Sequence, residues 1–160
     1  MSRMRMLLIS NLAAIVVAGC SSPGHSSPGT PGHAKDEIVA TLERLIVADN
    51  MGDLETVLSC YTDDVIWLPP GEPPVSGKDA IAARYGKLFG GSRLEFDLEV
   101  ADAFADGTVG SAWGFVRGTV KPVAGGDTAQ VNDKFLAVLH WDGAAWRVAR
   151  LAWSPQEHAP

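Results

Sequence analysis

The sequence predicts an α+β domain in which three short helices precede a curved antiparallel sheet and cover one of its faces. Up to Phe89 the apolar residues recur mostly at three- and four-residue steps, the period of a helix with one buried face; one strand interrupts them. After Ser92 they alternate with polar residues, the period of a pleated strand. Glycine-bearing turns fall between the runs, at Gly52, Gly77, Gly90-Gly91, Asp106-Gly107, Gly125-Gly126 and Asp142-Gly143. Helices first and strands afterward make a layered domain whose concave sheet face is turned to the helices.

The first helix is read from Asp36, with Ile38, Leu42, Leu45, Ile46 and Asp49 on its period, and ends near Met51 because Gly52 suits a left-handed stop. Asp53 can accept from the free backbone donors that follow, so it caps a short second helix that buries Leu54, Val57, Leu58 and Tyr61. A strand then starts at Asp64 or Val65. Its pleat sets Val65, Trp67 and Pro69 against Ile66 and Leu68, with both faces covered, and Pro69-Pro70 ends it because proline cannot donate to a ladder. The third helix follows Gly77 with Ile81, Tyr85, Leu88 and Phe89 in one stripe. Among the strands of the meander, the one over 109–120 is sharply two-sided. Val109, Ser111, Trp113, Phe115, Arg117 and Thr119 share one face, and Gly110, Ala112, Gly114, Val116 and Gly118 the other, where a helix or a second subunit can pack close.

The residues before this domain read differently. Arg3 and Arg5 precede an apolar run from Met6 to Val17, and Val17-Ala18-Gly19-Cys20 follows. The run is too short to span a bilayer, and small residues before a cysteine suit a peptidase that cuts there. Residues 1–19 thus resemble a bacterial lipoprotein signal peptide, which implies diacylglycerol on Cys20 and a place in the cell envelope. Ser21, rather than aspartate, leaves open the cytoplasmic or the outer membrane. Residues 20–34 are read as a flexible Ser/Pro/Gly tether, 35–155 as the folded domain and 156–160 as a tail. His25 and His33 sit in the tether without the support of a metal site.

The net charge is −6, and loss of Arg3 and Arg5 with the leader makes the chain more acidic still. Nucleic acid and anionic lipid both demand clustered Lys and Arg, so neither is an expected partner, and acyl chains rather than charge would hold the protein to a membrane. With only Cys20 and Cys60 in the chain, a disulfide framework within it is excluded once Cys20 is lipidated. Cys60, beside Leu58 and Tyr61, reads as a small core hydrophobe.

Two segments carry a further resemblance: Gly52-Asp53-Leu54 through Asp63-Asp64 and Pro69-Pro70 to Gly77-Lys78-Asp79-Ala80-Ile81, and Asp133-Lys134-Phe135 through Asp142-Gly143 to Trp146-Arg147 and Trp153. In order and spacing they resemble nuclear transport factor 2-like domains, the cone-shaped folds that include ketosteroid isomerases and SnoaL-like polyketide cyclases, and in particular their poorly characterised subgroup. The resemblance implies an apolar pocket and a homodimer. Ketosteroid isomerases use a helix-one tyrosine, a strand-one carboxylate base and a protonated aspartic acid. Matched onto this chain, the tyrosine position holds Leu45, the base position holds Pro69, and the aspartic acid position holds Asp133. Two of three groups are missing, and each positioned acid or base is typically worth about 10²–10⁴-fold in rate, so that reaction is not expected.

Asp133 is therefore the candidate for chemistry, as a hydrogen-bond donor inside an apolar cone, against the alternative of an aspartate paired with Arg150, Arg117 or Lys134. Tyr61, Trp67, Pro69, Tyr85, Trp113 and Trp153 are the candidate pocket wall, since aromatic rings suit flat apolar ligands. The Glu95, Asp97, Glu99 stripe reads as a solvated strand face before it reads as a cation site. His140 and His158 have no partner at ligand spacing, and no nucleophile elbow or phosphate-cradling glycine run is present. No cofactor and no metal is expected. Three functions remain: binding a small apolar or amphipathic molecule, acting on one as an isomerase, cyclase or lyase, and docking another envelope protein.

Overall fold

The computed structural model describes residues 31–156. The leader, Cys20, His25, His158 and the rest of the tail lie outside the described residues. The first helix, α1, runs Pro31–Met51 and so starts inside the segment read as tether. Pro31 suits a first helical turn, where its missing N–H costs nothing. Buried Ala34 and Ile38 hold this end of the helix to the domain. Gly52 follows at φ 67, and Asp53 caps α2 (Leu54–Ser59) by accepting from the Thr56 backbone at 3.1 Å.

Strand β1 spans Tyr61–Leu68 and begins three residues before the expected point. Tyr61 is thus a strand residue rather than part of the second helix, and it is fully buried. Leu68 is 45% exposed, which corrects the expectation that both faces of this strand are covered. After the proline elbow come a two-residue strand, β2 (Val75–Ser76), which the sequence did not predict, and α3 (Lys78–Gly91). Then follow β3 (Ser92–Asp106), β4 (Val109–Pro122), β5 (Ala129–Trp141) and β6 (Trp146–Pro155).

The six strands form one sheet in the order β2-β1-β6-β5-β4-β3. It is mixed rather than purely antiparallel, because β1 lies parallel to β6. A register shift between Val100 and Asp102 bends β3. Opposite that bend the strands come too close for a side chain: a Cβ on Gly114 would stand 1.9 Å from the Glu99 carbonyl oxygen, and one on Gly118 equally close to that of Glu95. The end of α1 is pinned to the bent strand by Asn50, whose amide donates to the Phe96 carbonyl at 2.8 Å and accepts from the Phe96 N–H at 2.7 Å.

The small-residue face of β4 lies against the helices. A Cβ on Gly110 would meet the Ile38 side chain at 2.4 Å and the Trp146 ring at 3.2 Å, so α1 rather than a second subunit occupies that face. The core runs from Ile38 and Leu42 of α1 through Val57, Cys60 and Val65 to Leu139, Trp146 and Val148. Cys60 is wholly buried within it.

Candidate functional site

Between the helices and the concave face of the sheet lies a cavity of about 610 Å³. Leu42, Leu45 and Leu88 line it from the helices, and Leu94, Phe96 and Leu98 line it from β3. Each falls there by phase. Leu42 and Leu45 share one helical stripe with Ile38 and Asp49, and alternate residues of β3 point to one side. The volume lies within the range of small-molecule sites, which are mostly apolar with a few polar groups.

One wall is aromatic. The Trp67 ring stands edge-on to Tyr61 at 5.7 Å, to Tyr85 at 5.2 Å and to Trp153 at 5.5 Å between centroids, an arrangement that sets positive ring edges against negative faces. The Tyr61 and Tyr85 hydroxyls lie 3.4 Å apart. Trp67 Nε1 is buried without a hydrogen-bond partner among the described residues, and although Tyr61 lies close to the indole N–H, the two do not meet in bonding geometry. Burial pushes both phenols well above the usual tyrosine range, and the Asp49 carboxyl adds to the effect.

Asp49 is the decisive group. It stands at the end of the α1 stripe, is 8% exposed and lines the cavity. Burial pushes its carboxyl up from 3.8 to about 7, against the pull of a hydrogen bond from Tyr85. Its Oδ1 has no hydrogen-bond partner among the described residues. A buried charge is costly unless paired, so near neutrality this carboxyl exchanges a proton readily instead of staying ionised. In the sequence Asp49 stands out only as one position of a helical period. An acid at the core-facing position of an apolar stripe was the available signal, since unpaired aspartate is rarely buried.

Asp133 also lines the cavity, and its carboxyl is raised by burial. Arg150 pairs with Asp64 and Arg117 with Glu99, so among the described residues neither supplies the partner considered for Asp133, and Lys134 makes no ion pair. Asp133 thus stands in the cone as an unpaired acid.

Of the remaining sequence-predicted residues, Tyr61, Trp67, Tyr85 and Trp153 reach the cavity, as does Leu45. Pro69 is buried at the end of β1 but does not line it. Trp113 is on the opposite side of the sheet, 47% exposed, in register with Asp102 and Leu136. The reason is the phase of β4: Gly110 must face Ile38 of α1, so the alternate, aromatic face is turned outward. The Glu95 and Glu99 carboxylates pair with Lys121 and Arg117 across to β4. His33 and His140 are exposed.

The SnoaL-like domain family model matches residues 42–149, which take in both helical walls of the cavity and most of the sheet. The chain belongs to the SnoaL-like domain family. Solved structures of this kind agree with the fold of the SnoaL-like chain. A ketosteroid isomerase-like protein from Erwinia carotovora atroseptica is 24% identical, with a TM-score of 0.69 over 77% of this chain and 96% of its own. A protein described as a putative aromatic ring hydroxylase from Novosphingobium aromaticivorans is 18% identical, with a TM-score of 0.74 over 81% and 94%. A putative dehydratase of the nuclear transport factor 2-like family from Streptomyces avermitilis is 17% identical, with a TM-score of 0.68 over 81% and 100%. At these identities the likeness is one of fold.

Proposed function

We propose that this SnoaL-like domain binds a small apolar or amphipathic molecule in its cavity and moves a proton on it, as an isomerase, cyclase or lyase of hydrophobic carbonyl compounds. The observation that carries this is Asp49: a cavity-lining carboxyl, nine-tenths buried, with one oxygen unpaired and a proton affinity near neutrality. A group balanced near the working pH suits both halves of acid–base transfer. Tyr85 adjoins Asp49 and draws its carboxyl down, the aromatic wall seats the ligand, and Asp133 lines the same cavity as a second acid whose proton affinity burial raises. Steroid isomerisation by the three groups of the ketosteroid isomerases is not the reading, because Leu45 and Pro69 occupy two of those positions.

Deuterium uptake next to the carbonyl of an apolar ketone such as 2-tetralone, followed in heavy water, tests the proposal. The wild type accelerates uptake, and Asp49→Asn lowers the rate by about 100-fold or more. Equal rates for the two proteins would leave binding alone as the function.

The outer face of the sheet favours a second, compatible property. Trp113, Leu136, Ala152 and Leu68 form one row across β4, β5, β6 and β1, and three of them are large exposed apolar side chains. Contiguous exposed apolar side chains suit an interaction surface, and we propose that a second copy covers this row. Sedimentation as a monomer at micromolar concentration would rule this out. We further propose that Cys20 is lipidated and holds the domain in the cell envelope; failure of the chain to incorporate labelled fatty acid in cells would refute this.

A further inference from the structure

Apart from the two acids, the charged side chains lining the cavity come from one helix. Arg84 and Lys87 stand three residues apart on α3, on either side of Tyr85, which is buried and turned inward. That spacing places the two cations on neighbouring turns of one face. Their circumstances differ. Arg84 is held by Glu72 of the proline elbow through two parallel bonds of 2.7 and 2.8 Å, and the pairing keeps Glu72 below and Arg84 above their ordinary ranges. Its charge is therefore spent within the protein.

Lys87 is different. Lys35, Lys78 and Lys121 each lie beside an acid. Lys87 has no acidic partner among the described residues, and it is exposed while also lining the cavity. Lys134 is likewise unpaired and exposed, but it does not line the cavity. Lys87 thus places an uncompensated ammonium at the rim of an apolar hollow in a chain of net charge −6. Neither cavity acid forms an ion pair with it among the described residues, and burial disfavours the ionised form of both Asp49 and Asp133.

We infer that the ligand is an apolar acid: a molecule whose hydrophobic body fills the cavity and whose carboxylate stays at the rim against Lys87. This rests on the reading of the cavity as a ligand site and adds the substrate's charge and direction. At the rim the carboxylate keeps part of its hydration, so its desolvation cost is small, while an ammonium in contact with low-dielectric walls attracts it more strongly than one in open water. With the charged end fixed at α3, the opposite end of the molecule lies inside, where Asp49 and the Tyr85 hydroxyl meet it. Specificity of this kind rejects neutral analogues of equal size, because they leave the rim cation unpaired.

Titration calorimetry of the full chain with decanoate and with 1-decanol, which share a body and differ in the head, tests the inference. Decanoate is expected to bind about tenfold tighter than decanol at low salt, the advantage shrinking as salt screens the pair. Lys87→Gln is expected to weaken decanoate about fivefold and to leave decanol nearly where it was, with Lys87→Arg restoring the preference. Equal affinity for the two probes, or a preference that Lys87→Gln does not change, overturns the inference while the ligand site stands. Binding of neither probe by the folded chain overturns the ligand site and the inference together.

Discussion

The acids of the β3 face and the acids of the cavity are the same chemical groups in opposite conditions. Glu95 and Glu99 lie in solvent and meet Lys121 and Arg117 across the strand pair, at 3.6 and 2.6 Å. Asp49 and Asp133 lie against apolar walls without an ion partner among the described residues, and burial raises both. The first set contributes to the sheet edge, where charge discourages wrong pairing. The second set reduces the stability of the fold at neutral pH, because each acid lies where its ionised form is disfavoured.

The largest effect is expected at Asp49. Its folded-state affinity of about 7 lies above the ordinary 3.8, so between those values the folded chain holds more protons than the unfolded one. Stability from this group is therefore complete below about pH 4, falls as pH rises through the window and levels off above about 7. The displacement corresponds to about 4 kcal/mol at its upper limit. Urea denaturation of wild type and Asp49→Asn across pH 4 to 8 should show a decline that flattens in the variant. Parallel curves would mean that Asp49 is not held protonated.

A smaller effect is expected at Tyr85. The Tyr85→Phe change removes the hydrogen bond that draws the Asp49 carboxyl down, so its proton affinity should rise further and the decline should extend to higher pH. Loss of one buried hydrogen bond costs about 1 kcal/mol, read as a lower urea midpoint at neutral pH. A downward move of the Asp49 titration would contradict this. Smallest of all is Glu99→Gln on the outer face. An exposed pair is worth under about 1 kcal/mol, less in salt, so this variant should unfold near the wild-type midpoint with the wild-type pH dependence.

Much of the architecture was legible because period and punctuation agree. Gly52, Asp53 and Gly77 stand where backbone geometry needs them, and Asp142-Gly143 joins the last hairpin. Less legible was anything set by long-range pairing. Tyr61 belongs to β1 because Cys60 and Tyr61 meet Val148 of β6, a contact across the whole domain that no local pattern encodes. The parallel β1–β6 pairing was invisible for the same reason.

In the site, Tyr61, Trp67, Tyr85, Trp153 and Asp133 were singled out as aromatic or acidic members of an apolar pattern, and all line the cavity. Trp113 is expected there as an aromatic that suits a flat apolar ligand, but the sequence does not say which side of its two-sided strand faces the helices. Gly110 settles that, since only the glycine face admits Ile38. Asp49 was seen as a period and not as a charge. Its meaning depends on what surrounds it, and those neighbours come from α3, β1 and β3.

The central claim is that Asp49 holds its proton near neutrality inside the cavity. Carbon-13 NMR of the Asp49 side-chain carboxyl, assigned by its loss in Asp49→Asn and followed from pH 4 to 9, measures this directly. A midpoint near 7 that shifts when an apolar ligand enters is the predicted result; an ionised carboxylate throughout, with its midpoint near the ordinary 3.8, would contradict it.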